Sequence, residues 1–286
     1  MVSVVVPQAA HGSRPPVIEV QLLGRFVVAG QGRSVGTWPR PSARRLCQPP
    51  LGATARWQDG STLRALLVDF YGTLVQEDGV VIEGICTDVG TGLTEPVTTA
   101  EVSRRWAAAF AAECGTAFGP GFRRQRDLAR SSLETVVEAL GSRADVGQLI
   151  AAQFDYWQRP DLFSDARPFL DSLQVPVCVV SNIDRPDLEA AIAYHALEFD
   201  HIVTSDDVCS YKPRPEIFKH ALDLLGVARE EAVHVGDSLT ADVSGAKRAG
   251  LRAVWLNRSG RRRKAETEPW AEVAGLEGLA ALLAGA

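Results

Sequence analysis

Apolar runs that end abruptly at a polar residue recur along this chain. Three runs share this form: residues 66–68 before Asp69, residues 175–180 before Ser181, and residues 232–236 before Asp237. Such runs, rich in Val and Leu, are typical of strands buried on both faces of a parallel sheet. Apolar residues at helical spacing follow at residues 186–197, 214–225 and 241–249, with shorter strands expected at residues 200–204 and 253–257. The alternation predicts an α/β fold with a doubly wound parallel sheet whose C-terminal strand ends carry the polar residues.

The segment between the first two runs, residues 80–171, predicts a helical insert. Helices are expected at residues 100–113, 122–140 and 146–158, with Thr99 as the N-cap of the first. An insert at this point can act as a lid that excludes water and contacts substrate. Its arginines Arg123, Arg124 and Arg126 are candidates to bind an anionic substrate, although arginines on a helix face are more often simply solvated.

Residues 1–60 differ in charge from the rest of the chain. They carry seven Arg against Glu19 and Asp59, a net charge of +5, whereas the remainder carries 23 basic and 33 acidic residues, a net of −10, so that the whole chain has −5. The alternation of apolar and polar residues at 18–28 predicts a strand, and residues 38–46 predict the start of a basic helix.

Residues 17–47 are similar to the opening of the winged-helix DNA-binding domain of actinobacterial antibiotic-regulatory proteins. Pro49 and Pro50 interrupt the chain where the recognition helix of such a domain should follow. Because a DNA-binding module needs a helix that enters a groove, we expect an incomplete appendage, a linker over residues 48–62, and no nucleic-acid partner. The basic run at residues 261–264 is interpreted as a solvated surface loop.

Four ordered stretches carry residues suited to hydrolytic chemistry. They are Asp69 followed by the turn Gly72-Thr73, the pair Ser181-Asn182, Lys212 before a proline-marked helix start, and Asp237 with Asp242 five residues later. In this order they resemble the four motifs of the haloacid dehalogenase (HAD) superfamily. The resemblance implies a Rossmann-like core at residues 61–79 and 172–286, a helical cap at residues 80–171, and an N-terminal extension at residues 1–60.

The same resemblance implies a catalytic set. Asp69 corresponds to the nucleophile that attacks the substrate, and Ser181, with Asn182 beside it, would hydrogen-bond a transferring phosphoryl oxygen. Lys212 would neutralise negative charge on nucleophile and substrate. Fixed charges and donors aimed where negative charge develops are usually the largest source of catalysis.

The resemblance also implies a Mg²⁺ site. Asp237 and Asp242 correspond to the acidic pair that holds the ion together with Asp69 and one backbone carbonyl, here assigned to Tyr71. Few carboxylates with several waters suit Mg²⁺. Three crowded carboxylates would also repel one another strongly without a cation.

Tyr71 departs from the pattern of the superfamily phosphatases, which carry Asp two residues after the nucleophile as general acid and base. Tyrosine, whose unperturbed pKa is about 10, is poorly suited to act as a base near neutrality. Asp-x-Tyr-Gly-Thr-Leu is instead the form found in metal-independent L-2-haloacid dehalogenases. Against that interpretation, the chain keeps the acidic fourth motif, and Ala107 stands where a cap arginine of the dehalogenases is expected after a tryptophan.

We therefore favour a Mg²⁺-dependent phosphatase that hydrolyses a small anionic ester through an aspartyl-phosphate. The dehalogenase and a catalytically weak regulatory protein remain the alternatives. The five scattered cysteines indicate neither a disulfide framework nor a zinc site, which predicts a cytoplasmic location. No apolar run approaches transmembrane length, so no membrane partner is expected.

Overall fold

The architecture comes from a computed structural model that describes residues 2–5, 17–21, 25–30, 33–37, 55–56, 62–263 and 267–284. The chain divides into two units, Met1–Leu51 and Gly52–Ala286. In the first unit, four strands form an antiparallel sheet in the order β1-β2-β3-β4. These strands are β1 Val2–Val5, β2 Val17–Gln21, β3 Arg25–Gly30 and β4 Arg33–Thr37.

The strand predicted at residues 18–28 is therefore wrong in extent, because β2 and β3 form two arms that pair antiparallel with Gln21 opposite Arg25. A period of two runs through both arms and cannot by itself distinguish one long strand from two. The predicted linker also contains structure, since β5 (Ala55–Arg56) pairs antiparallel with β6 (Thr62–Leu63). The helix start predicted at residues 38–46 lies outside the described residues.

The second unit is built on a six-stranded sheet in the order β12-β11-β10-β7-β8-β9. Its strands are β7 Ala65–Val68, β8 Val177–Ser181, β9 His201–Thr204, β10 Ala232–Gly236, β11 Arg252–Leu256 and β12 Ala271–Val273. All neighbouring pairs are parallel. The chain runs outward from β7 through β8 to β9, and then outward on the other side from β10 to β12. The crevice between β7 and β10 is thus the topological switch point where open α/β sheets place ligands.

Both faces of this sheet are buried, which confirms the predicted doubly wound α/β fold. Alternate side chains of β7 pack into different apolar clusters, Leu66 and Val68 into one and Ala65 and Leu67 into the other. A strand side chain points to the opposite face from its neighbours. Continuous apolar runs are therefore the pattern that a sheet covered on both sides requires.

The insert is helical as predicted, and it contains one helix more than the pattern indicated. Its helices are α1 Gly79–Gly90, α2 Thr99–Thr116, α3 Gln125–Leu140 and α4 Val146–Gln158. The missed helix α1 contains three glycines and several β-branched residues, which are poor helix formers. It forms because its buried residues Ile85, Cys86 and Val89 pack at helical spacing against the other cap helices.

Hydrogen bonds at the N-termini of two cap-domain helices correct their predicted starts. The N-cap of α2 is Thr98 rather than Thr99, because the Thr98 hydroxyl accepts a hydrogen bond from Glu101 N. Helix α3 begins at Gln125 rather than at 122. The backbone N–H groups of Gln125 and Arg126 donate to the carboxylate of Asp184, which belongs to the core. The capping residue Asp184 lies about sixty residues away in sequence, so the sequence around the start of the helix gives no sign of it.

The remaining helices cover the sheet. They are α5 Ala166–Ser172, α6 Arg185–Tyr194, α7 Ser205–Val208, α8 Glu216–Leu225, α9 Gly245–Arg248 and α10 Leu276–Ala284. The helix predicted at 241–249 begins as a π-helix, Leu239–Ser244, that continues into α9. A π-turn inserts an extra residue and is frequent at functional sites. Within the described part of the chain, every helix is too short or too polar to cross a bilayer.

Candidate active site

The ends of three neighbouring strands open onto one cleft. Asp69 follows β7, Ser181 closes β8, and Asp237 follows β10, so their side chains meet at the same edge of the parallel sheet. The cleft has a volume of about 220 Å³. Lys212 and Asp242 also line it, from the loop after α7 and from the π-helix respectively. The structure therefore brings together residues that are up to 173 positions apart in sequence (69 to 242).

Lys212 is the centre of the hydrogen-bond network in this cleft. Its buried ammonium donates to Asp69 Oδ1 at 2.6 Å, to Asp242 Oδ1 at 2.6 Å and to the carbonyl oxygen of Val180 at 3.0 Å. Each of the three N–H groups of the ammonium thus has an acceptor. The two carboxylates raise the pKa of Lys212 against the opposing effect of burial, so that the side chain stays cationic.

Asp242 is held on both carboxylate oxygens. Oδ1 accepts from Lys212 and from His234 Nε2 at 2.9 Å, and Oδ2 accepts from Ser238 N at 2.9 Å. Although burial opposes it, the charge of Lys212 and these hydrogen bonds lower the pKa of Asp242. His234, on β10, therefore orients a site carboxylate, and burial lowers the pKa of its imidazole.

The pKa values of Asp69 and Asp237 shift in the opposite direction, upward. Burial raises the pKa of Asp69, an effect that Lys212 only partly offsets. Burial and the neighbouring Asp242 raise the pKa of Asp237 to about 6. Oxygens of Asp69, Asp237 and Asp242 all lie within 4.8 Å of one another. A bound divalent cation would reverse both upward shifts, because it favours the ionised carboxylates.

Two glycines allow this crowding. Gly72 has φ of +80°, and a Cβ there would lie 2.7 Å from Asp237 Cγ. A Cβ on Gly236 would lie only 2.2 Å from Asp242 Cγ. Both distances are far inside van der Waals contact, so only glycine lets the backbone approach these carboxylates.

The comparison with protein families matches this arrangement. The family model of the haloacid dehalogenase-like hydrolases matches residues 63–250. The chain belongs to the haloacid dehalogenase-like hydrolases. This confirms the superfamily that the four motifs indicated.

Two relatives by sequence carry phosphatase names, and a dehalogenase is among the solved structures of similar fold. The chain is 34% identical over 145 residues to the mouse (Mus musculus) N-acylneuraminate-9-phosphatase, an alignment covering 47% of this chain and 58% of that protein. It is 35% identical over 145 residues to a phosphoserine phosphatase of Thermus thermophilus, covering 48% and 57%. The chain thus spans little more than half the length of these curated relatives. Its fold is also similar to that of the L-2-haloacid dehalogenase of Xanthobacter autotrophicus, with a TM-score of 0.62, 21% identity and coverage of 78% and 99%.

Tyr71, the residue that departs from the phosphatase pattern of this HAD family, is fixed between core and cap. Its hydroxyl donates to the carbonyl oxygen of Trp157 at the end of α4. Its ring packs edge-on against Phe70 with centroids 5.3 Å apart. Burial and the nearby carboxylates Asp187 and Asp78 raise the pKa of Tyr71. A phenol in this state does not serve as a base near neutrality.

Ser181 and Asn182 both line the cleft but differ in their contacts. Ser181 lines the cleft beside Asp69. Asn182 also lines it, and its side chain spans the backbone of Lys212, with Oδ1 accepting from Lys212 N at 2.7 Å and Nδ2 donating to Lys212 O at 3.2 Å. Asn182 is therefore a positioning residue for the loop that carries the ammonium.

Arg261 is a site residue that sequence reasoning missed. Its guanidinium donates to the carbonyl oxygen of Asp237 at 2.6 Å and to Asp237 Oδ2 at 2.9 Å. Arg261 is exposed, as the interpretation of a solvated surface loop predicts, but it also pairs with Asp237, which that interpretation did not include. The signal was its place in the loop after β11, since loops after the strands of such a sheet lie at the active-site edge.

The three cap arginines lie outside the cleft lining. Arg123 pairs with Glu113, Arg124 with Asp206 of the core, and Arg126 with the buried Asp187 of the core. The Arg126 pair uses two hydrogen bonds, including Nε to Oδ2 at 2.7 Å. Two of the three thus hold the cap on the core.

Proposed function

We propose that this HAD hydrolase is a Mg²⁺-dependent phosphatase that acts on a small anionic phosphate ester through an aspartyl-phosphate intermediate. The observation that carries the proposal is the cluster of Asp69, Asp237 and Asp242, with oxygens within 4.8 Å of one another at the switch point of the sheet. The phosphatase names of its relatives agree with it. A cytoplasmic location fits the free thiols of the described cysteines.

The donor set fits a hard divalent cation. The clustered oxygens are all carboxylates, which Mg²⁺ prefers, and Tyr71 lines the same cleft, where its carbonyl could add a further oxygen. Lys212 and Arg261 neutralise part of the charge of the three carboxylates, which leaves a net negative site. When bound, Mg²⁺ supplies charge neutralisation and orientation for the transferring phosphoryl group.

The chain's own residues carry the bond changes. The Asp69 carboxylate attacks phosphorus, an Oδ–P bond forms, and the bond from phosphorus to the ester oxygen breaks with its electrons on the departing oxygen. Lys212 opposes the negative charge that gathers on nucleophile and phosphoryl group. Ser181 offers a hydroxyl donor at the same edge. Water then attacks the aspartyl-phosphate, releasing phosphate and restoring Asp69.

The leaving oxygen must take up a proton, and Tyr71 is tied to Trp157 instead. Glu77 lines the same cleft at an exposed position, next to Asp78. A carboxyl group that reaches the leaving oxygen can act as its general acid. Glu77 is therefore the side chain that we assign to this role.

Tyr71 favours the dehalogenase alternative, but the negative charge of the cleft opposes it. Five carboxylates line the cleft, from Asp69, Glu77, Asp78, Asp237 and Asp242, and Lys212 is the single cationic residue among the described residues of that lining. The carboxylate of a haloacid would be repelled by this set unless a cation were present. Ala107, at the position of the expected dehalogenase arginine, lines a different cavity.

The test is hydrolysis of a phosphate-ester panel and of 2-chloropropionate, each with Mg²⁺ and with EDTA. We expect phosphate release that EDTA abolishes and Mg²⁺ restores. Asp69→Asn should reduce turnover by orders of magnitude, and Asp237→Asn should behave like metal removal. Asp223→Asn, at an exposed position of α8, is the matched control. Halide release that ignores EDTA would instead support the dehalogenase, and full activity of Asp69→Asn would rule out both.

A further inference from the structure

A second cavity, of about 220 Å³, lies among the cap helices. Its walls are mainly apolar and come from α1, α2, α3 and α4. The principal apolar contributors are Ile82, Trp106, Phe110, Ala129 and Trp157. Apolar cavities of ~150 Å³ bind benzene, so this one has room for a substituted aromatic ring or an aliphatic body of similar size.

Two residues of this lining have side-chain oxygens without hydrogen-bond partners. Gln153 is 4% exposed, and its Nε2 donates to Asp78 Oδ2 at 2.7 Å, which fixes Oε1 as the other end of the amide. Within residues 62–263, neither Gln153 Oε1 nor Gln125 Oε1 has a hydrogen-bond partner, although both atoms are buried. Buried polar atoms are nearly always paired, so these two oxygens are acceptors that a bound donor beside them can use.

The charge of the cavity lining is negative. Asp78 is the only ionisable carboxyl or basic group of its described lining. Its Oδ2 also accepts from Trp157 Nε1 at 2.8 Å, which holds the carboxylate at the cavity wall. A cation that carries N–H donors would satisfy the acceptors and the charge together.

The cavity is continuous in lining with the active-site cleft. Asp78, Gln125 and Trp157 line both. The two spaces are therefore adjacent, and a single molecule that spans both would place its phosphoryl group beside Asp69 and its remaining part among the cap helices. In a hydrolase of this kind, the part that extends away from phosphorus is the leaving group.

We propose that the cap cavity binds the leaving group of the substrate, and that this leaving group is an apolar body of about the size of an aromatic ring that carries an ammonium group. The ammonium pairs with Asp78, with Gln153 Oε1 and Gln125 Oε1 as the nearby unpaired acceptors, and the body packs against Trp106 and Phe110. This assignment rests on the proposed phosphatase function and narrows its substrate class to phosphate esters of apolar amino alcohols or aminophenols.

Two probe pairs test the proposal on the full chain. Tyramine O-phosphate and para-propylphenyl phosphate have similar shape and differ in the ammonium group, and acetyl phosphate has no ring to place in the cavity. Tyramine and para-propylphenol allow the same comparison by calorimetric titration, without turnover. We expect the amine of each pair to be favoured about tenfold, in kcat/KM and in Kd, as for one hydrogen bond to a charged group.

Variants separate the cavity from the rest of the cap. Ala107→Phe narrows the cavity from an exposed position of α2, and Ala108→Phe places the same ring on the next residue, which is also exposed and outside the lining. Ala107→Phe should weaken tyramine binding at least tenfold and lower the ratio of aryl-ester to acetyl phosphate turnover, whereas Ala108→Phe should match the parent. Gln153→Leu should remove the preference for the amine.

The outcomes distinguish this proposal from the function beneath it. Equal binding of tyramine and para-propylphenol, or equal effects of Ala107→Phe and Ala108→Phe, overturns the leaving-group pocket even if acetyl phosphate is hydrolysed. Failure to hydrolyse any phosphate ester with Mg²⁺, while tyramine still binds selectively, overturns the phosphatase function and leaves the cavity as an amine site.

Discussion

Replacing Lys212 by Met tests whether the cleft is organised around one buried ammonium. The side chain is 2% exposed, and its Nζ lies 2.6 Å from both Asp69 Oδ1 and Asp242 Oδ1. Methionine has a similar length but no charge. The substitution leaves two buried carboxylates facing each other without the cation between them, which is a costly arrangement because neither charge is solvated.

The expected loss can be estimated from these contacts. Removing one partner of a buried ion pair costs about 3–5 kcal/mol. The lower end applies here, because the pKa of Asp69 is already raised by burial, so this carboxyl can take up a proton, and because Asp242 keeps its hydrogen bonds from His234 and Ser238. A loss of about 3 kcal/mol corresponds to a Tm decrease of about 6–12 °C for a unit of this size.

The assay is calorimetric melting of the full chain in EDTA and again in Mg²⁺. Lys219→Met, at an exposed position of α8, is the matched control and should stay within about 0.5 kcal/mol of the parent. Because the variant site carries more uncompensated negative charge, Mg²⁺ should raise the Tm of Lys212→Met by more than it raises that of the parent. A decrease no larger than that of Lys219→Met in EDTA would refute the reasoning, as would an equal Mg²⁺ effect in parent and variant.

Three other substitutions give independent tests. Tyr71→Asp supplies a carboxyl at the usual acid position, so in a Glu77→Gln background turnover of alkyl relative to aryl phosphates should rise, by up to ~10²–10⁴-fold; an unchanged ratio would show that a carboxyl at position 71 does not protonate the leaving oxygen. Gly236→Ala places a Cβ 2.2 Å from a carboxylate carbon of the predicted metal site, so titration should show weakened Mg²⁺ binding, unlike Gly84→Ala, whose Cβ meets nothing within 4 Å. For Asp165, hydrogen bonds from an arginine and a backbone N–H outweigh burial and lower its pKa below 3.8, so its contribution is present above about pH 4 and is lost as the pH falls further. Asp165→Asn should accordingly flatten the acid side of the Tm profile, and exposed Asp223→Asn should not.

The family and the main elements were readable from the sequence, because they depend on local pattern. The apolar run of β7 ended at Asp69, and the runs of β8 and β10 ended at Ser181 and Asp237, as a sheet covered on both faces requires. Parallel strands bring their C-terminal ends to one edge, so the meeting of these three residues in one cleft was also predictable. Their catalytic and metal-binding roles remain predictions.

The tertiary structure decided the features that depend on partners distant in the chain. Helix α1 is rich in glycine and forms through packing, and Asp184 of the core caps helix α3. From the sequence, Arg261 was one of four basic residues assigned to a surface loop, and only the fold shows that it pairs with Asp237. Gln153 lies within the helix predicted at residues 146–158, and only the fold shows that it is buried with Oε1 lacking a partner among the described residues. A sequence pattern records how far each residue is from its neighbours along a strand or helix, whereas burial, ion pairing and cavity shape depend on which surfaces meet after the chain folds.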